Sequence, residues 1–352
     1  MAPRDPIADL RRIAFLLERA GEATYRVRAF RGAAAALAAL PRDELARRAA
    51  AGTLTELSGV GAKTAGCVVE SLSGVAPEYL RRYEAAAQAA GAGAAAGEGL
   101  DETATALRQA LRGDCHTHSD WSDGGSPIDE MAQAAVELGH EYMVLTDHSP
   151  RLTVARGLSA DRLRRQLDVV AELNGKLPPG FRILTGIEVD ILDDGSLDQS
   201  DELLARLDVV VASVHSKLRD ESPVMTKRMV TALANPHMDI LGHCTGRLVV
   251  GRGRPESTFD AAAVFAAAVE HDKAVEINSR PERLDPPKRL LRQALAAGCR
   301  FAIDTDAHAP GQLTWQEYGC ARAAACGVPA ERVVNTWTAD DLVAWAAGHG
   351  VH

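Results

Sequence analysis

Two kinds of apolar periodicity divide the chain. Over residues 1 to about 84, apolar positions recur at helical spacing: Ile7, Leu10, Ile13, Phe15, Leu16 and Leu17 first, then Leu37, Leu40, Leu45, Leu54 and Leu57. Pro41 and Gly52 punctuate this all-helical head. From Gly113 the pattern changes to short apolar runs alternating with amphipathic stretches. The runs predict strands over 114–118, 142–146, 182–190, 208–214, 239–243, 274–278 and 301–304, with a weaker one at Val333-Val334. Helical patterns fall between them, over 127–139, 159–174, 225–234, 257–271 and 286–297. Alternation of this kind predicts an α/β domain with a parallel, barrel-like sheet, and chemistry at the carboxyl ends of its strands.

Between the two patterns lies Ala85-Ala-Ala-Gln-Ala-Ala-Gly-Ala-Gly-Ala-Ala-Ala-Gly-Glu-Gly99, which begins as a helix tail and continues as an Ala/Gly-rich tether. The expected organisation is therefore a head over 1–84, a linker over 85–112 and a second domain over 113–352. No apolar stretch approaches the ~20 residues that cross a bilayer. The N-terminus lacks a basic region followed by an apolar core, so no signal peptide is expected. Six cysteines are scattered without a CxxC, which argues against both a disulfide framework and a thiolate zinc site. These features point to a cytoplasmic protein with no membrane partner. The net charge of −9 is unevenly spread: residues 1–90 carry 13 basic and 10 acidic side chains, and the remainder is strongly acidic. A mildly basic head on an acidic body suits a module that meets nucleic acid beside a metal site.

The candidate chemistry sits where the predicted strands stop. The first reads Asp114-Cys-His116-Thr-His118, followed by Ser122-Asp123-Gly124-Gly125; the second ends Thr146-Asp147-His148. The third contains Gly186-Ile-Glu188-Val-Asp190, the fourth ends Val214-His215-Ser216, the fifth ends Gly242-His243, and the seventh ends Thr305-Asp306-Ala-His308. A single His at a strand end is usually a satisfied polar residue. Six elements ending this way are hard to attribute to chance. Neutral imidazoles and ionised carboxylates hold Zn²⁺, Mn²⁺ or Fe²⁺, and divalent ions in an open pocket activate water for phosphate-ester hydrolysis. Asp147 and Asp190 are candidates to orient ligand imidazoles. Arg247, Arg280 and Arg283 adjoin these segments and could take phosphate oxygens, with Arg247 the leading candidate; Asn278 could donate to a substrate. His140 and His271 lie near predicted helix ends, and His349 and His352 in a tail expected to fray.

The set HxH…SDG, TDH, GxE, SVHS, LGH and DxH resembles the PHP (polymerase and histidinol phosphatase) superfamily over about 113–345. Asn235-Pro-His-Met-Asp-Ile-Leu-Gly-His243-Cys-Thr-Gly-Arg247, Glu276-Ile-Asn278-Ser and Arg283-Leu-Asp285 resemble most the PHP domain of bacterial family X DNA polymerases. The resemblance implies a distorted barrel of seven βα units and up to three divalent ions, with Zn²⁺, Mn²⁺ and Fe²⁺ all admissible. It implies one ion held by His116, His118, Glu188 and Asp306. A second would be held by His215 and His243 with Glu188 bridging, and a third by Asp123, His148 and His308. Glu188, His215, Asp306 and Arg247 are the expected catalytic residues. Cys115 and Cys244 depart from the family's more frequent Leu and Pro.

In the head, Leu57-Ser-Gly59-Val-Gly61-Ala-Lys63 reads as a helix–hairpin–helix turn. Its glycines let the backbone approach a phosphate, and Lys63 stands in the first turn of the following helix. With Tyr25-Arg26-Val-Arg28-Ala-Phe30-Arg31, this head resembles the N-terminal domain of family X DNA polymerases, which implies sequence-independent DNA contact through Gly59, Gly61 and Lys63. In the polymerase β branch a lysine four residues past Lys63 carries lyase chemistry; here Cys67 stands there, so lyase activity is not expected. The palm and fingers have no counterpart between head and barrel, so polymerase activity is not expected either. The combined expectation is a metal-dependent phosphoesterase acting on DNA, a 3′–5′ exonuclease or 3′-end-processing enzyme of DNA repair. The alternative is a small-molecule phosphomonoesterase of the histidinol-phosphatase type with a non-catalytic head. A third reading, a DNA-binding module with a structural metal site, fits poorly with so many ligands, because structural sites are closed and smaller.

Overall fold

The computed structural model describes residues 4–93 and 100–349. The chain divides into two units, Met1–Gly99 and Leu100–His352.

The first unit is helical: α1 (Pro6–Arg19), α2 (Thr24–Ala38), α3 (Arg42–Ala51), α4 (Ala62–Leu72) and α5 (Glu78–Gly93). The Asp5 side chain caps α1, and Gly52 ends α3 in the left-handed conformation. The apolar stripes meet in one core of Leu10, Ile13, Leu17, Leu37, Leu54 and Val68, among others. A buried carboxylate, Asp9, ties α1 to α4 by accepting from the Ser71 hydroxyl (2.7 Å).

The second unit is a seven-stranded parallel sheet in sequential order: β1 (Gly113–Thr117), β2 (Tyr142–Leu145), β3 (Arg182–Asp190), β4 (Val209–Ser213), β5 (Ile240–Leu241), β6 (Ala274–Asn278) and β7 (Arg300–Asp304). It is a nearly closed (βα)7 barrel preceded by the all-helical head. Val333 makes only an isolated bridge to Phe301, so the weak eighth strand does not form. Helices α7 (Ile128–Glu137), α8 (Ala160–Asn174), α9 (Asp201–Leu204), α10 (Ser222–Leu233), α11 (Ala261–Glu270) and α12 (Lys288–Ala297) connect successive strands. α13 (Gln316–Cys326) and α14 (Ala339–Gly348) follow β7. The two-residue strand period sorts the side chains. Cys115, Val144, Leu184, Val211, Ile240, Ala274 and Ala302, from all seven strands, form one interior cluster with Leu342 of α14. Val210, Ala212, Val275, Ile277 and Ile303 instead pack with the surrounding helices.

Two parts of the chain differ from the expected organisation. Residues 102–110, inside the stretch read as a linker, form α6 (Glu102–Ala110), and Leu107 and Leu111 are buried in the barrel unit's core. The barrel unit thus begins before Gly113. Alanine-rich composition hid the short amphipathic helix. His349 is also not frayed: it is buried, with Nδ1 2.7 Å from Asp239 Oδ1. His352 lies outside the described residues.

Between β7 and β1 the backbone makes a single bridge, Thr117 to Ala307, and no ladder. Side chains close that seam. Asp304 accepts from the Cys115 amide (2.8 Å), Thr305 donates its hydroxyl to Asp114 (2.5 Å), and Asn335 donates to Asp304 (2.8 Å) while accepting from the Ile303 amide (2.7 Å).

Candidate metal centre

Every strand except β6 delivers a candidate ligand to the carboxyl end of the barrel. His116 is in β1 and His118 just beyond it, where the His118 amide donates to the Ala307 carbonyl (2.8 Å). The chain then folds back over 119–125. Asp147 organises this turn by accepting from the Ser119 amide (2.8 Å) and from the Ser119, Ser122 and Gln166 side chains. A Cβ at Gly124 would lie 2.5 Å from the Ser119 carbonyl oxygen, so only glycine allows the turn to close. The fold-back brings Asp123 Oδ1 to 3.3 Å from His308 Nε2 and 3.5 Å from His148 Nε2. Asp147 therefore shapes the loop that carries Asp123, and none of its hydrogen bonds reaches an imidazole. Asp190 does approach one: it accepts from the His215 amide (3.1 Å), with the ring's Nδ1 at 3.4 Å.

Glu188 is central and buried. Its Oε1 lies 2.8 Å from His243 Nε2 and 3.2 Å from His215 Nε2. Its Oε2 lies 2.9 Å from His148 Nδ1, 3.3 Å from His116 Nε2 and 3.6 Å from His118 Nε2. Asp306 sits in the left-handed region (φ +53°), which an aspartate tolerates better than most residues. Its Oδ1 is 3.5 Å from His118 Nε2, and its Oδ2 is 3.0 Å from Arg283 Nε.

The donor set fits divalent cations. Buried nitrogens of His116 (Nε2), His118 and His215 (both ring atoms) and His148 (Nδ1), together with Glu188 Oε2, have no hydrogen-bond partner. Several lie about 3 Å apart without hydrogen-bond alignment, as atoms do when they share an ion rather than a proton. Orphaned polar atoms at this density would be costly in an empty core. Three groups each bring their ligand atoms within 4.8 Å of one another: His118, Asp123, His148 and His308; His116, His118 and Asp306; and His148, Glu188 and His215. His118 and His148 thus each belong to two groups, which the resemblance did not anticipate.

Electrostatics hold the two buried carboxylates and His118 in the forms a metal binds. Burial alone would raise the Glu188 carboxyl, but His116, His215 and His148 outweigh it and hold the group well below the usual carboxylate range. Burial likewise works against ionised Asp306, and Arg280 and Arg283 outweigh it. Burial, with His308 and His148 alongside, keeps His118 well below the ordinary histidine value, in the neutral form a metal requires.

The arginines divide by geometry. Arg283 and Arg280 face the cage, Arg280 NH1 lying 3.6 Å from Asp306 Oδ1. Arg247 turns away from it: Nε donates to the Arg283 carbonyl (3.0 Å) and NH2 to that of Leu284. Position next to a motif does not reveal which way a guanidinium turns. Asn278 Nδ2 is engaged by Glu276 Oε2 (3.2 Å) and Asp306 Oδ2 (3.3 Å) rather than presented to a ligand. Glu276 entered the sequence reading only as part of a family motif, with no role of its own. Strand parity was the available signal, because alternate residues of β6 (Ala274, Glu276, Asn278) must face inward once Val275 and Ile277 face out.

In the head, Gly59 adopts φ +87° and packs against Gly32, a Cβ there lying 3.3 Å from the Gly32 carbonyl oxygen. Gly61 caps α4, with Thr64 bonding its amide (3.0 Å). Lys63 Nζ lies 5.3 Å from the Tyr79 ring centroid, beside an open cleft of about 370 Å³ lined by Tyr25, Arg26, Phe30, Lys63, Tyr79 and Arg82 among others.

A parallel barrel whose strand ends converge on imidazoles and carboxylates defines a metal-dependent phosphoesterase of the PHP type, and the chain belongs to that family. The PHP domain pattern matches residues 114–280, and a helix-hairpin-helix domain pattern matches residues 1–74. The chain is 40% identical over 235 residues to the DNA polymerase/3′-5′ exonuclease PolX of Bacillus subtilis, a match covering 67% of this chain and 41% of that protein. It therefore spans less than half of that relative. It is 30% identical to a probable phosphatase of Thermoanaerobacter sp. (strain X514), covering 63% of this chain and 89% of the relative. A crystal structure of histidinol phosphate phosphatase from Lactococcus lactis, complexed with zinc, L-histidinol and phosphate, is similar with a TM-score of 0.45 at 17% identity, covering 62% of this chain and 95% of that one. The protein is a phosphoester hydrolase. No helix among its described residues is long and apolar enough to cross a membrane.

Proposed function

We propose that this enzyme hydrolyses phosphate esters of DNA, as a 3′–5′ exonuclease or 3′-end-processing enzyme in repair. The observation that carries this reading is the presence, in one chain, of a phosphoesterase cage and a helix-hairpin-helix head whose basic, tyrosine-lined cleft suits a nucleic-acid strand. His116, His118, Asp123, His148, Glu188, His215, His243, Asp306 and His308 would hold up to three divalent ions, with Zn²⁺, Mn²⁺ and Fe²⁺ all compatible with the mixed N/O set. Bound ions would supply Lewis acidity and an activated water.

The protein's own residues do the rest. Glu188 and Asp306 keep two permanent negative charges in the buried mouth. His215, supported by Asp190, borders the open side of the cage. Arg280 and Arg283 lie where non-bridging phosphate oxygens would approach, and Arg247 steadies the Arg283–Leu284 segment beneath them. Gly59, Gly61 and Lys63 would contact the sugar–phosphate backbone without reading bases.

A second reading, hydrolysis of a small phosphomonoester of the histidinol phosphate kind, is favoured by the probable phosphatase that the barrel matches over most of its length. A 3′-end-labelled oligonucleotide and histidinol phosphate, offered in parallel with each metal restored after chelation, separate the two. Turnover of the oligonucleotide at the higher kcat/KM is expected. Turnover of histidinol phosphate alone removes the DNA reading.

A further inference from the structure

β6 delivers no candidate ligand, yet its two inward polar residues touch ligands from three other segments. Glu276 is fully buried. Its Oε1 lies 2.6 Å from His116 Nδ1, and its Oε2 accepts from the His243 backbone amide and from Asn278 Nδ2 (3.2 Å). The same Asn278 Nδ2 reaches Asp306 Oδ2 (3.3 Å). A carboxylate can only accept, so the His116 ring carries a hydrogen on Nδ1, and in its neutral, metal-binding form Nε2 would be the lone pair facing Glu188 Oε2. That nitrogen has no hydrogen-bond partner.

We infer that Glu276 is a positioning residue that sets two metal sites at once, by fixing the ring form of His116 and the backbone that aims His243. The inference rests on the cage being a metal centre and is independent of whether the substrate is DNA. Glu276 is not itself a ligand in this arrangement. Both its oxygens are engaged, one by the far side of a ligand ring and the other by a main-chain donor, which leaves it behind the ligands. Because His116 lies in β1 and His243 just past the end of β5, one carboxylate couples the ends of strands that do not pair. Removing it should weaken both sites together, whereas removing either histidine should cost mainly its own site. Outer carboxylates of this kind typically change metal affinity ~10–100-fold.

The test is zinc binding by the full chain, measured as bound equivalents at graded free Zn²⁺ by equilibrium dialysis and elemental analysis, for wild type, Glu276→Gln, Glu276→Ala, His116→Ala and His243→Ala. In Glu276→Gln the amide oxygen can still accept from His116, but the NH2 group then meets the His243 amide donor-to-donor. The expected result is a folded Glu276→Gln by circular dichroism, with a ~10–100-fold rightward shift in the occupancy of two equivalents. Phosphoesterase activity should be restored by excess zinc, with a larger shift for Glu276→Ala. A purely structural role would not be rescued by zinc. Unchanged zinc affinity in a folded Glu276→Gln overturns the inference, and so does a glutamine variant that fails to fold. Loss of one equivalent that excess zinc does not restore makes Glu276 a ligand and overturns it as well. A wild type that binds no zinc, manganese or iron refutes the cage itself, an outcome distinct from all of these.

Discussion

His243 Nε2 lies 2.8 Å from Glu188 Oε1 across 55 residues of chain, while the second oxygen of the same carboxylate serves His148, His116 and His118. One side chain is thus common to five imidazoles once His215 is included. Glu188→Ala is expected to bind fewer metal equivalents and to lose at least ~100-fold in phosphoesterase kcat/KM, exceeding the ~10–100-fold typical of outer residues. His215→Ala should likewise abolish turnover with the fold intact. Activity retained in either variant, checked against unchanged circular dichroism, would remove that residue from the cage.

Metal removal should be visible in stability as well as in rate. Ions that bind only the folded state stabilise it by ~2.7 kcal/mol at a hundredfold excess over Kd. Chelator-treated protein is expected to melt earlier, and Tm should climb with added Zn²⁺ or Mn²⁺ until the sites fill. Calorimetry across a metal titration reads this directly; a Tm indifferent to metal contradicts it.

Arg283 and Arg247 should fail differently. Arg283→Ala strips the cation 3.0 Å from buried Asp306, so kcat/KM should fall ~10–100-fold, with a stability loss of up to ~3–5 kcal/mol for breaking a buried pair. Arg247→Ala removes donors from the carbonyls of Arg283 and Leu284, and should cost ~1–3 kcal/mol of stability with a smaller kinetic effect. Urea titrations run alongside steady-state kinetics distinguish them. A larger kinetic loss in Arg247→Ala would put that guanidinium on the substrate.

His140 predicts a pH dependence away from the cage. Burial, with Arg108 alongside, lowers its pKa to about 3, against ~6.5 for an unperturbed histidine. The unfolded chain therefore takes up a proton between those values that the folded chain refuses. This contribution is complete above about pH 6.5 and is lost as pH falls, at up to ~1.4 kcal/mol per pH unit. His140→Gln should flatten the profile of urea midpoints between pH 7 and pH 4. A variant as steep as its parent would rule His140 out as the source.

For the head, Lys63→Ala should weaken DNA binding evenly across sequences and reduce the slope of log K against log salt by ~0.7–0.9 if one phosphate contact is lost. Fluorescence anisotropy at several salt concentrations measures it. An unchanged slope would take Lys63 off the phosphate backbone.

Much of the barrel was legible because burial and polarity alternate along its strands. β3 and β6 occupy the expected spans without shift. β4 loses a residue at each end, β7 gains one at its start, and β5 shrinks to Ile240–Leu241. The residues singled out at strand ends do gather at one mouth, since a strand that stops on His or Glu delivers it where its neighbours stop. What remained hidden depended on direction rather than on residue type. Arg247 and Arg283 adjoin motifs equally well, and only their side-chain paths separate them. Asn278 looked like a free donor because the carboxylates that engage it come from β6 itself and from a segment 28 residues later. α6 escaped notice because alanines hide a face that only Leu107 and Leu111 define.

The side-chain seam between β7 and β1 has a consequence for how the protein can be cut. Asn335 lies 55 residues past the end of the PHP match, yet it fastens Asp304 and Ile303, two residues from Asp306. A fragment trimmed to the recognisable motif, or ending at residue 330, would keep seven of the nine cage residues or all nine respectively, but lose the clasp beside them. The tail beyond the last ligand is thus a keystone of the catalytic mouth, and shortening it should spill the metal long before it unravels the sheet.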